Sequence, residues 1–279
     1  MEQTPQGGNT VKTVTSNDGT QIAFDQSGHG PAVILVAGAS ATRMDEASLA
    51  AALASYFTVF AYDRRGRGDS GDTAPYAVER EVEDIAAVIA EAGGSAFLFG
   101  HSSGAVLALE AARLLPTKIT KLAVYEPPFI IDGSRPRAPK DFASHLNELV
   151  SSGRRGEAVE SFMTFVGTPA EMIAQMRLSP MWPQLEASAQ TFAYDATIVE
   201  DTEQGDPSAL RKWESTTVPT LVMDGTVFLG RAEPHAFMRH GADELAGVLP
   251  NAQRRILEGQ DHGPSNEVLV PALKEFFLG

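Results

Sequence analysis

The sequence predicts an α/β protein: a doubly wound, mostly parallel sheet of eight strands with one helical segment inserted into it. Three observations carry this. Short apolar runs alternate with runs of helical period between residues 32 and 125, and such alternation implies parallel strands with helices on both faces. From residue 129 to about 217, helical segments follow one another without a convincing strand. The strand and helix rhythm then returns at residue 219 and runs to the last helix. The expected division is a core of residues 1–128 and 218–279 and a helical cap, or lid, at residues 129–217.

Each element has its own local reason. Residues 10–15 and 21–25 read as a hairpin around Asn17-Asp18-Gly19, a tight-turn signal between β-branched residues. Ala32–Val36 is continuously apolar and bounded by Pro31 and Gly38, as expected of a strand covered on both faces. A helix is expected at 45–55 and a strand at 57–62, which runs into the turn Asp63-Arg64-Arg65-Gly66-Arg67-Gly68-Asp69-Ser70. Its glycines are not spaced as a phosphate loop and no Lys-Ser/Thr follows them, so a structural turn is the better reading than a phosphate site. Residues 78–92 form an amphipathic helix with Val82, Ile85, Val88 and Ile89 on one stripe and Glu79, Glu81 and Glu83 in its early turns, where the helix dipole favours negative charge. Strands are expected at 96–99 and 122–125 around a helix at 105–115.

Within the inserted region, helices are expected at 141–151, 156–165, 170–176 and 183–198. Phe142, Phe162, Met163, Phe165, Met172, Met176, Met181, Trp182, Phe192 and Tyr194 give it an apolar palette that serves either its own small core or a pocket wall. The remaining elements are a strand at 219–224, a helix at 233–248, a strand at 254–257 and a helix at 266–277.

Composition narrows the function classes. A chain of 279 residues suffices for one large domain with an insertion. The formal charge of −14 argues against a nucleic-acid partner and against anionic membrane surfaces. No cysteine is present, which removes disulfides and thiolate catalysis. No secretory signal or membrane-length apolar run is visible, so a cytoplasmic protein is expected. Oligomeric state is not legible.

The chemistry centres on Gly100-His101-Ser102-Ser103-Gly104, between an apolar strand and a helix. Gly-x-Ser-x-Gly at such a junction places the serine on a strained turn, with flanking glycines that let neighbouring backbone pass closely. Centring the motif on Ser103 would put His101 and Ala105 where glycines are wanted, so Ser102 is the candidate nucleophile. A serine hydroxyl needs a base within hydrogen-bond reach, and six histidines are available. His29, His145, His235 and His240 have no motif around them, and His101 is expected to point away from its neighbour Ser102.

Four pieces together, Leu35-Val36-Ala37-Gly38-Ala39, the turn from Asp63 to Ser70, the elbow at Ser102, and Gly259-Gln260-Asp261-His262, make the chain resemble a capped member of the α/β-hydrolase fold over nearly its whole length. The resemblance implies His262 as the base and the N–H groups of Ala39 and Ser103 as the oxyanion donors. The family more often has His-Gly where this chain has Ala37-Gly38. It usually carries its acid on the loop after the seventh strand, but here Gly225 is followed by Thr226-Val227-Phe228-Leu229. Some members carry the acid after the sixth strand, where this chain has Glu126, and Pro127 is expected to bias Glu126 toward extended backbone. Glu126 is therefore the expected acid, Asp224 its rival, and Asp261 is too close to His262 to turn back onto it.

The implied activity is a serine hydrolase cleaving a carboxylic ester or lactone of a small, largely apolar substrate through an acyl-enzyme on Ser102. The small-molecule substrate, and the expectation of no metal or organic cofactor, come only with this reading. The same fold also hosts cofactor-free haloperoxidase-like and carbon-carbon hydrolase activity, amide hydrolysis, and non-hydrolytic ligand binders or cyclases. The absence of an acid after Gly225 is what keeps the last of these open.

Overall fold

The computed structural model describes residues 11–227 and 236–279. Lys12–Thr15 (β1) and Gln21–Gly28 (β2) form the opening hairpin, and β2 pairs antiparallel with Thr58–Tyr62 (β4). Ala32–Val36 (β3), Ala96–His101 (β5), Ile119–Tyr125 (β6), Thr220–Gly225 (β7) and Ala252–Leu257 (β8) continue the sheet in parallel. The spatial order is β1-β2-β4-β3-β5-β6-β7-β8.

Alternate residues of each central strand go to opposite faces. Ile34, Val36, Leu98 and Val124 pack with Val78–Glu91 (α2), Ser103–Leu114 (α3) and Ala236–Val248 (α9), whereas Val33, Leu35, Phe99 and Ala123 pack with Ala47–Leu53 (α1) and Asn266–Leu278 (α10). Both faces are covered, which explains why these strands read as unbroken apolar runs. The expected stripe of α2 is buried at Val82, Ile85, Val88 and Ile89. Glu81, expected in the early turns of this helix, lies there and is buried against Arg64.

Between β6 and β7 lie Phe142–Ser151 (α4), Arg155–Phe165 (α5), Ala170–Arg177 (α6), Trp182–Ala187 (α7) and Gln190–Val199 (α8), followed by short 3₁₀ turns at Glu200–Glu203 and Pro207–Trp213. Phe142, Phe162, Trp182 and Phe192 belong to a separate apolar cluster of this insertion. The single helix expected at 183–198 is two. Arg155 donates to the carbonyls of Glu186 and Ala187 at the end of α7, and the Ser188 hydroxyl turns back onto Gln184. The Arg155 side chain thus takes up the Glu186 and Ala187 carbonyls that a continuous helix would offer to backbone N–H groups a turn later. Phe228 and Leu229 after β7, and the residues before Ala236 in the expected helix, lie outside the described residues, as do the expected first strand residue Thr10 and His235.

Candidate active site

Ser102 sits between β5 and α3 with φ of 55° and ψ of −126°, a conformation that non-glycine residues rarely adopt. Packing enforces it. A Cβ at Gly100 would meet the Gly104 carbonyl at 2.6 Å, and one at Gly104 would meet the Val36 carbonyl at 2.2 Å. These contacts leave glycine as the fitting residue on either side, for the reason the motif suggested. The Ser102 N–H donates to the Tyr125 carbonyl at 3.0 Å, which ties the elbow to the end of β6.

The next residue of that strand end is Glu126. Its backbone is not extended, as Pro127 led one to expect, but has φ of 47°. Tertiary bonds override the local bias: the Glu126 N–H donates to the Met223 carbonyl at 3.0 Å, Oε1 accepts from the Gly225 N–H at 2.9 Å, and Oε2 lies 2.6 Å from His262 Nδ1. Holding a non-glycine residue in this region costs on the order of 1–3 kcal/mol, a cost typically found at functional positions. Glu126 is fully buried, while the His262 side chain is 38% exposed. A carboxylate on Nδ1 selects the tautomer that leaves Nε2 available as a base.

Asp224, the rival acid, takes another role. It is fully buried at the end of β7, with Oδ2 accepting from Arg239 Nε at 3.2 Å and Oδ1 2.6 Å from Arg254 Nη2. The second contact is a close ion pair whose alignment falls short of a hydrogen bond. Asp261 accepts from the Gly263 N–H through its side chain and from Tyr125 through its carbonyl.

Ser102, Ser103, Ala39 and His262 all line one cavity of about 320 Å³. Ser103 opens α3, so its N–H has no intrahelical acceptor. The loop carrying Ala39 is held from behind by the arginines of the turn after β4: Arg67 donates to the Gly38 carbonyl at 2.9 Å and Arg64 to the Ala37 carbonyl at 3.3 Å. The same arginines meet Asp195 of α8, at 2.7 Å from Arg67 and 2.9 Å from Arg64, and Asp195 also accepts from the Ser103 hydroxyl at 2.8 Å. Burial works against ionising Asp195, but Arg67 and Arg64 outweigh it and hold its carboxyl below the ordinary value. One carboxylate therefore ties the insertion to both expected oxyanion elements.

That network was not visible in the sequence. The turn reads only as basic and glycine-bearing, and nothing around Asp195 distinguishes it from a solvated helix residue. His101 is a further correction, since it does not point away: it lines the cavity, with its ring centroid 4.6 Å from that of His262. Burial, with the nearby His262, pushes its pKa down to about 3, so it stays neutral. Of the apolar residues of the insertion, Phe142, Phe162, Met163, Phe165 and Met172 line the cavity, whereas Met181 is largely exposed and Tyr194 stacks on Tyr76 at 3.9 Å. Among the described residues no helix is long and apolar enough to cross a membrane.

Comparison with known proteins bears on the family and the fold. Residues 33–270 match the family described as "Alpha/beta hydrolase family". The crystal structure of an alpha/beta hydrolase from Sphaerobacter thermophilus DSM 20745 is 51% identical, covers 95% of this chain and 100% of that one, and superposes with a TM-score of 0.84. N-formylmaleamate deformylase of Pseudomonas putida is 33% identical over 132 residues, 46% of this chain and 48% of that protein. The hydrolase YraK of Bacillus subtilis is 32% identical over 113 residues, 39% and 42% respectively. The chain thus matches less than half the length of these two curated relatives.

Proposed function

The chain belongs to the alpha/beta hydrolase family, and on that premise we propose that it is a serine hydrolase acting on a carboxylic ester or lactone of a small molecule. The observation that carries the reading is the 2.6 Å contact between the fully buried Glu126 and His262, at a cavity that Ser102 also lines. In the proposed mechanism the Ser102 hydroxyl attacks the carbonyl and His262 takes its proton. Glu126 fixes the imidazole tautomer and stabilises the imidazolium, and the N–H groups of Ala39 and Ser103 receive the oxyanion. His262 then returns the proton to the leaving group. Water repeats the sequence on the acyl-enzyme. The helical insertion serves as a cap, closing an apolar wall over Ser102 and latched to the core through Asp195.

Glu126 also bears on the non-hydrolytic alternative, whose argument was the missing acid after Gly225. In this chain the Gly225 N–H donates to the Glu126 carboxylate, so an acid reaches the histidine from the neighbouring strand. Amide hydrolysis is the second reading, favoured by the likeness to a protein named for deformylation. The test is intact mass and peptide mapping after fluorophosphonate treatment, with Ser102→Ala as control, followed by a panel of esters, lactones and N-formylmaleamate. A single adduct on Ser102 is expected. No adduct on the folded protein overturns the reading.

A further inference from the structure

The catalytic groups leave one charge in the cavity without a role. Arg135, on the loop between β6 and α4, lines the same cavity as Ser102 and His262. No aspartate or glutamate oxygen among the described residues lies within 4.0 Å of its guanidinium. One Nη2 N–H donates to the Phe165 carbonyl, and the group lies 4.8 Å from the ring centre of Phe237 and 5.5 Å from that of Phe165. The rings accommodate the cation without neutralising it, and its other N–H groups make no hydrogen bond to described residues.

Arg135 is half-buried, and the more deeply buried arginines behave differently. Arg43, Arg64, Arg65 and Arg67 are buried, and each is paired with a carboxylate. The carboxyl whose charge reaches Arg135 is Glu203, which is buried on the same cavity wall. Burial pushes Glu203 up to about 8, against the pull of the Arg135 charge. At neutral pH Glu203 is therefore mostly a neutral acid, which can donate a hydrogen bond but cannot cancel the guanidinium. An arginine remains charged under these conditions.

We propose that Arg135 anchors a carboxylate at the non-reacting end of the substrate, so that the cavity selects esters or amides bearing a free acid group. For the word substrate this rests on the serine-hydrolase reading; the anion site itself does not. A guanidinium offers a planar fork that matches a carboxylate, and apolar walls strengthen the pairing by lowering the local dielectric. Among the described residues Arg135 is the one lysine or arginine that lines the cavity, and a single cation suits a monoanion.

The test has two arms. In the first, kcat/KM is compared for 4-nitrophenyl hydrogen glutarate against 4-nitrophenyl pentanoate, and for 3-acetoxybenzoate against phenyl acetate, which place the acid on the acyl and leaving sides. At least one charged ester is expected to be preferred, and Arg135→Gln is expected to cut the charged-to-neutral ratio roughly tenfold to a hundredfold, with Arg135→Lys between. In the second, binding of glutarate, benzoate and the neutral glutaramide to folded Ser102→Ala is measured by calorimetry. Carboxylate binding over glutaramide, lost in Ser102→Ala/Arg135→Gln, is expected even if no ester is turned over, which separates failure of the hydrolase reading from failure of this one. Equal treatment of charged and neutral ligands in both arms, or a preference that survives Arg135→Gln, overturns the proposal.

Discussion

The ends of β6 and β7 carry two buried carboxylates on adjacent strands and use them in opposite ways. The strands pair in parallel with Tyr125 opposite Met223, so Glu126 and Asp224 leave the sheet side by side, both fully buried. Asp224 meets two permanent cations, Arg239 and Arg254. Among the described residues Glu126 accepts from the Gly225 N–H and faces a histidine whose charge is conditional. A carboxylate held by arginines is a structural fixture. A carboxylate facing an imidazole can stabilise a proton when it arrives, which is what a general base requires.

The largest effect expected from breaking this contrast is that of Glu126→Gln. Under the proposed mechanism it lowers kcat by about ten-thousandfold, the scale seen when a triad acid loses its charge but keeps its shape, while the thermal midpoint moves little. Steady-state rates on the best ester of the panel, with a melting curve, read both. A loss below tenfold removes Glu126 from the triad.

Asp224→Asn is expected to do the reverse. It removes the buried charge that faces Arg239 and Arg254, of which Arg254 keeps Asp243 as a partner, and should cost roughly 2–3 kcal/mol of stability, seen as a lower urea midpoint. The turnover of the folded fraction should change by less than about tenfold. If Asp224→Asn abolishes turnover in a stable protein while Glu126→Gln does not, the two strand ends have been assigned the wrong way round.

The smallest effect is a slope. Glu203 is a third buried carboxyl, with no cation within ion-pair distance among the described residues, and its pKa is pushed up by burial from 4.5 to about 8. The folded state therefore holds a proton that the unfolded state has released between those values. The stability this contributes is present below about pH 4.5 and is lost as pH rises through about 8. Glu203→Gln should flatten that decline, as measured by unfolding free energies at pH 5, 7 and 8.5; an unchanged slope would show that Glu203 ionises normally.

How much could be read beforehand differs between these groups for a physical reason. The strands of the core were legible because burial on both faces forces continuous apolar runs, and the hairpin because its turn needs particular residues. The break at Ser188 was not, because it depends on Arg155 arriving from another helix. The geometry at Glu126 was half legible: its place after β6 pointed to it, but its left-handed backbone ran against the local preference set by Pro127. Asp195 and Arg135 were silent, since an isolated charged residue on a helix or loop looks the same whether it is solvated or buried.

By itself the sequence determined the elbow at Ser102, because five consecutive residues carry its pattern and the demand at Gly100 comes from its own turn, although the contact that requires glycine at position 104 comes from the Val36 carbonyl of another strand. It also determined the alternation of strands and helices, because the period of apolar residues is a local property. The tertiary structure decided which acid faces His262, because that depends on β6 and β7 lying side by side and on arginines from α9 and β8 reaching Asp224 first. It likewise decided that Asp195 joins the insertion, through Arg67, to the loop carrying Ala39. Charges act over a few ångströms in space, and residues 64, 67 and 195 become neighbours only when the chain has folded.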